Sequence, residues 1–226
     1  GYKKLIPKKA HFLKTDINNL FNLKKLFKLK KFDLVMHFAA YIKVDESVKK
    51  PNKYYVNNFN KTKIFLNACL NHGIDKIIFS STAAVYGNKS YKIKETDSLS
   101  PKSPYASSKL KCEKFIIRKS KQKKCKHIVL RYFNVAGSPA SLKTGLISKK
   151  ATHLIKKLCE FILGKEKNFF IYGNNYGTKD GTPIRDFIHV SDLSTLHILS
   201  MNYLFKNNKS QVFNCGYGKE YSVLEI

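Results

Sequence analysis

Phe79-Ser80-Ser81-Thr82-Ala83-Ala84-Val85-Tyr86-Gly87, followed by Ser103-Pro104-Tyr105-Ala106-Ser107-Ser108-Lys109, decides the reading of this chain. The apolar run Lys76-Ile77-Ile78-Phe79 predicts a buried strand that delivers small hydroxyl residues to its carboxyl end. Pro104 predicts a helix start, and residues i and i+4 share one helix face, so Tyr105 and Lys109 lie one turn apart. A strand-end hydroxyl, a phenol and an ammonium are thereby expected to converge. In that arrangement the Lys109 charge lowers the Tyr105 pKa and makes the phenol a usable base.

Tyr-x-x-x-Lys alone is weak evidence, because a composition this rich in Tyr and Lys gives roughly two such pairs by chance. Only Tyr105/Lys109 occurs, and it follows a strand and a Ser/Thr cluster. Context makes the pattern informative.

Upstream, residues 10–14 read as a short strand ending at Thr15-Asp16-Ile17, and Asn18 to Lys30 carries Leu20, Leu23, Leu26 and Phe27 at helical spacing. Asp16 is as readily a turn or cap residue as a ligand contact. Phe32 to Ala40 is a continuous apolar strand ending in two alanines, whose small side chains let a flat cofactor approach the backbone or simply pack under a helix. A single long helix is expected from Pro51 to about His72, with Gly73 as its C-cap. Asn57 within it either points to a ligand or is solvated.

Downstream, Ile128 to Phe133 reads as a strand ending at Asn134-Val135-Ala136-Gly137. Strand, helix, strand, helix, strand at this spacing predicts an α/β fold: a Rossmann-like, doubly wound parallel sheet with ligands at the carboxyl ends of its strands. After Gly145 the rhythm changes to a helix from about Ala151 to Leu163, a strand over 169–173, a Gly/Asn/Asp loop and a strand over 186–190. These pieces read as a smaller lobe grafted onto the sheet. Arg185 reads as a diphosphate clamp or as the partner of Asp186 in a surface pair. His153 and His189 are equally core, capping or ligand histidines. Ser191-Asp192 caps a helix through Leu204, Gln211 to Cys215 is a last strand, and Ser222 to Glu225 is a capping box.

The formal charge of +28 comes from 43 Lys and Arg, of which only Arg118, Arg131 and Arg185 are arginine. Readers of nucleic acid favour Arg for bidentate contacts. The lysines scatter along helix faces, so the expectation is a solvated surface and no nucleic-acid partner. Five widely spaced cysteines without C-x-x-C predict reduced thiols and neither disulfides nor a metal site. No apolar run approaches the ~18 residues of a membrane span, and a cytoplasmic protein is expected.

Seven motifs in order carry a family resemblance: His37-Phe38-Ala39-Ala40, Val44 to Ser47, Tyr54 to Asn58, Ser80 to Gly87, Ser103-Pro104-Tyr105 through Lys109, Leu130 to Asn134, and Asp180 to Val190. On these the chain resembles the UDP-glucose 4-epimerase family of the extended short-chain dehydrogenase/reductase superfamily. The resemblance implies interconversion of UDP-glucose and UDP-galactose by reversible oxidation at C4, through a 4-keto sugar, with NAD as cofactor. It implies that Tyr105 is catalytic base and acid, that Lys109 holds the nicotinamide ribose, and that Thr82 bridges sugar hydroxyl and phenol. Asp16 and Ile17 would lie at the adenine. Phe38, Ala39, Ala40, Tyr41, Ile42, Asn57 and Phe133 would make further NAD contacts, and Asn134 and Arg185 would contact the nucleotide sugar. Thr82 stands where Ser is more usual, Ile42 where some members carry Lys, and Lys156 where Pro is common.

Sister dehydratases and decarboxylases carry an acid or base just before Val-Tyr-Gly, where this chain has Ala83 and Ala84. Those methyls transfer no proton, which favours epimerisation. Epimerases acting on UDP-N-acetylglucosamine, UDP-glucuronate or UDP-pentoses stay open, as does a family member without turnover. The resemblance further implies an NAD-binding domain over residues 1–137, a mixed region over 138–226 that combines part of a substrate lobe with returning strands and helices of the sheet, and a homodimer when complete. The family's glycine-rich pyrophosphate turn has no counterpart, since no glycine lies between Gly1 and Gly73. A fragment lacking both ends is therefore expected, one that binds NAD poorly and turns over little by itself.

Overall fold

The computed structural model describes residues 3–148 and 152–226. In chain order the helices are α1 (Leu20–Leu29), α2 (Val44–Lys49), α3 (Pro51–Tyr54), α4 (Thr62–Asn71), α5 (Pro104–Lys121), α6 (Leu154–Ile162) and α7 (Val190–Asn207). The strands are β1 (Val35–His37), β2 (Lys76–Thr82), β3 (Lys126–Tyr132), β4 (Asn134–Ala136), β5 (Ile184–Arg185), β6 (Phe187–His189), β7 (Gln211–Cys215) and β8 (Tyr221–Ser222). The main sheet is parallel throughout, in the order β1-β2-β3-β7.

Alternation along the strands sorts the core onto two faces. Ile77, Phe79 and Val129 pack with Leu66, Phe115 and Ile116 beneath α4 and α5. Ile78, Ile128 and Leu130 pack with Leu193 and Leu204 of α7 on the opposite face. Each fully buried side chain of this size stabilises the fold by roughly 1.5–3 kcal/mol before entropy is counted. Helices on both faces make the sheet doubly wound, as the apolar runs predict. Two short ladders stand apart: β4 runs parallel with β6, and β5 antiparallel with β8.

Four local expectations are corrected. Residues 10–14 form no strand, with Phe12 and Leu13 exposed, and residues 169–173 form none either, with Phe170 and Tyr172 exposed. An extended segment becomes a strand only by pairing its backbone, and neither segment has a ladder partner among the described residues. The strand expected over 32–40 is confined to Val35–His37, because the last ladder pair is His37 with Phe79 and residues 38–42 run beyond the sheet edge. The long helix from Pro51 is interrupted by a π-helical segment, Tyr55–Lys61, rich in asparagines that form α-helix poorly.

Smaller adjustments follow from capping. Helix α5 begins as expected, with Ser103 Oγ accepting from Ala106 N at 3.2 Å and Pro104 at the first position. Helix α7 begins two residues early, because His189 Nδ1 accepts from Ser191 N and His189, not Ser191, is the cap. Ser222 and Glu225 make both bonds of a capping box, at 2.7 and 3.2 Å, in a turn that no helix continues. The expected start of α6 at Ala151 lies outside the described residues. Four cysteines are buried, Cys159 is exposed, and all five are free thiols.

Candidate active site

Helix α5 lies against β2, and side chains at its four-residue intervals reach successive strand residues. The Thr82 hydroxyl lies beside the Tyr105 phenol, near enough to lower its pKa. Thr82 Oγ accepts from Ala84 N at 3.2 Å, which leaves the Thr82 O–H free to point at the phenol oxygen. Ala83–Tyr86 form a 3-10 turn immediately after Thr82, closed by Gly87 at φ +73°. A Cβ there would clash with the Ser100 carbonyl oxygen, so only glycine fits this turn.

Lys109 is buried, and its ammonium donates to the main-chain carbonyl oxygen of Ser80 beneath the Phe79 ring. Burial lowers its pKa to about 8. The expected depression of the Tyr105 phenol by Lys109 is not realised. Burial raises the Tyr105 pKa and the Thr82 hydrogen bond offsets it in part, while Lys109 is engaged at the backbone.

Phe38, Ala39, Tyr41 and Ile42 are exposed and Ala40 is half-buried, on the segment that leaves β1 at the same sheet edge as Thr82 and Phe133. Phe38 stacks on His197 at 4.9 Å between ring centroids. The His197 ring accepts or donates a 2.6 Å hydrogen bond with the Tyr132 hydroxyl, which also bonds Ser80 Oγ at 2.6 Å. An apolar shelf of this kind beside a buried ammonium suits a flat ring attached to a polar ribose. By that measure these residues fit a nicotinamide dinucleotide.

The π-helical turn decides which asparagine serves this shelf. Asn57 is half-buried and only donates to Asn58 Oδ1 at 3.2 Å. Asn58 is the buried one: its Oδ1 accepts from Tyr41 N at 2.8 Å and its Nδ2 donates to Tyr41 O at 2.9 Å. Nδ2 also lies 3.2 Å from Ser108 Oγ on α5. Asn58 thus ties the shelf to the helix carrying Tyr105, a role that an Asn-rich stretch does not disclose.

Asp16 is exposed in the loop before α1, beside half-buried Ile17, and its carboxylate meets Lys61 Nζ at 2.6 Å. That ion pair holds its pKa below the usual carboxylate value. Asn134 opens β4 directly after Phe133, and its backbone N donates to Asp186 O at 3.0 Å. The pairing of Asn134 with Phe187 brings exposed Arg185 to the same edge. Arg185 does not pair with Asp186, whose carboxylate instead accepts from Tyr217 N and Gly218 N. The Arg185 guanidinium donates to the Ile184 carbonyl and faces solvent. A separate cleft of about 380 Å³, lined by Ile171, Gly173, Asn174, Asp180, Thr182 and Leu224, shares no residue with this set.

Comparison with known proteins places this geometry. The profile of the NAD dependent epimerase/dehydratase family matches residues 2–216. The chain is similar to a UDP-glucose 4-epimerase of Azospirillum brasilense, 43% identical across all of this chain and 65% of that protein. It is 41% identical to a UDP-glucose 4-epimerase of Lactobacillus helveticus, again over the whole chain and 69% of the relative. The chain thus spans about two thirds of the length of these relatives. Among solved structures it superposes on Brucella ovis UDP-glucose 4-epimerase in complex with NAD with a TM-score of 0.94, at 33% identity, covering 100% of this chain and 69% of that one. The UDP-Glc/GlcNAc 4-epimerase of Campylobacter jejuni matches with a TM-score of 0.80 at 44% identity, over 96% and 67% of the two chains.

Proposed function

This chain belongs to the NAD dependent epimerase/dehydratase family, and from that premise we propose that it carries the active site of an NAD-dependent UDP-glucose 4-epimerase. The observation that carries the reading is the Thr82 hydroxyl on the Tyr105 phenol, with Lys109 buried one turn along α5 and an exposed apolar shelf at the same edge.

The chemistry NAD supplies when bound is a reversible hydride sink for C4 of the sugar. Tyr105 takes the proton of the 4-hydroxyl as C4 becomes a ketone and returns it after the sugar has turned. Thr82 aligns that hydroxyl with Tyr105, and its O–H stabilises the phenolate that accepts the proton. Lys109 anchors the strand end through the Ser80 carbonyl, and its ammonium would hold the ribose. Phe38, Tyr41, Ile42 and Phe133 would hold the flat ring and exclude water, Asn58 and Asn57 support that segment, and Asp16 and Ile17 would receive the adenosine end. Asn134 and Arg185 engage the nucleotide sugar, Arg185 through its free guanidinium face. Ala83 and Ala84 leave no acid or base to expel a group from the sugar, so nothing is lost from it.

The 44% identity to an enzyme described as acting on UDP-Glc and UDP-GlcNAc favours a second reading in which N-acetylated sugars are also accepted. A cytoplasmic homodimer, with residues 1–137 as the dinucleotide-binding domain and 138–226 returning to it, completes the proposal. The test is NAD-dependent conversion of UDP-galactose to UDP-glucose by protein containing these 226 residues. Conversion lost in Tyr105→Phe supports the reading; conversion unchanged in that variant defeats it.

A further inference from the structure

Three side chains of α5, each four residues from the last, engage three successive residues of β2. Tyr105 meets the Thr82 hydroxyl, Lys109 donates to the Ser80 carbonyl, and Glu113 accepts from Ser81 Oγ. The proposed reaction uses the first two. Glu113 has no part in it, yet its side chain is completely buried.

Its charge is met from β3. Arg131 Nε lies 3.2 Å from both carboxylate oxygens and Nη2 donates to Oε2 at 2.7 Å. The other end of the guanidinium donates to Tyr86 OH at 2.7 Å and lies over the Tyr86 ring at 4.8 Å. Tyr86 OH in turn donates to Asn214 Oδ1 at 2.8 Å on β7. Since Tyr86 ends the turn that starts after Thr82, Glu113 grips both flanks of Thr82. It holds Ser81 directly and the Ala83–Tyr86 turn through Arg131.

A buried ion pair is a poor source of stability, because desolvation costs several kcal/mol per ion and an apolar pair of equal volume often holds a fold as well. What an apolar pair lacks is direction. A helix displaced by one residue rises 1.5 Å and turns through 100°, enough to break any hydrogen bond it makes with a strand. We propose that Glu113 is a positioning residue that fixes α5 on β2 at the height where the Tyr105 phenol meets the Thr82 hydroxyl. The proposal rests on the epimerase reading only for the role of Tyr105.

The test is ring-carbon NMR of the chain labelled with ¹³Cζ-tyrosine, without NAD or UDP-sugar. Tyr105→Phe assigns the Tyr105 signal, and Thr82→Val marks its position when the hydrogen bond is lost. The paired variant Glu113→Met/Arg131→Met removes the ion pair without stranding a charge, and thermal unfolding is followed alongside. The expected result is an unfolding midpoint close to that of the parent, with the Tyr105 signal displaced to the Thr82→Val position. A signal that stays at the parent position overturns the proposal. If the paired variant does not fold, Glu113→Asp, which keeps the charge and shortens the reach by one methylene, carries the same two outcomes. Because no cofactor or sugar is present, a parent-like signal defeats the positioning role and leaves the epimerase reading intact.

Discussion

Lys109 Nζ donates to the main-chain carbonyl oxygen of Ser80, two residues before Thr82 on the strand that carries the hydroxyl. The ammonium is therefore built into the sheet edge, and burial lowers its pKa from 10.5 to about 8. Between those values the unfolded chain binds more protons than the folded one. The Lys109 contribution thus rises with pH across that window and is lost as pH falls through about 8. From pH 7.5 to 10, urea unfolding of the parent is expected to gain on the order of 2–3 kcal/mol relative to Lys109→Met. A difference that shrinks over that range would contradict the buried ammonium.

Thr82 provides the contact that lowers the Tyr105 pKa against burial. Thr82→Val is expected to raise the Tyr105 pKa further and to cut turnover of UDP-galactose by about 10²-fold, with KM little changed. Thr82→Ser keeps the hydroxyl and is expected to retain most of the activity. Steady-state kinetics on the two variants checks this, and equal losses in both would remove Thr82 from the proton path.

Asn58 clamps Tyr41 through both backbone groups. Asn58→Ala leaves those groups unpaired, at a cost of about 1–3 kcal/mol, and frees the segment that presents Phe38, Tyr41 and Ile42. Unfolding midpoints together with NAD titration would register the loss, with affinity expected to fall more than in Asn57→Ala. An equal effect of the two substitutions would refute the distinction drawn from the π-helical turn.

Arg131 is the buried counter-charge of Glu113. Arg131→Met strands the carboxylate and is expected to destabilise the fold by about 3–5 kcal/mol, far more than the paired substitution with Glu113→Met. A double-mutant cycle on denaturant midpoints measures the coupling, and additive losses would show that the pair is not a unit.

Much of this molecule is legible in its sequence. The apolar runs at 76–79 and 128–133 announced β2 and β3, and Ser103-Pro104 announced the start of α5. The order of short motifs announced the family. Segments 10–14 and 169–173 misled because apolar residues express a preference for extension but not the presence of a partner. The π-helical turn was hidden because hydrogen-bond period is not written in composition.

Local sequence determined which chemical groups exist and on which elements they stand: a phenol and an ammonium one turn apart on a helix, a hydroxyl at a strand end, and two methyls where an acid would change the reaction. Tertiary structure alone decided what each group touches. Lys109 goes to a carbonyl 29 residues away, Asn58 to a backbone 17 residues away, and Glu113 to a strand and an arginine. A side chain's hydrogen-bond partner depends on the distance and angle between elements, and these are set when the two faces of the sheet are packed.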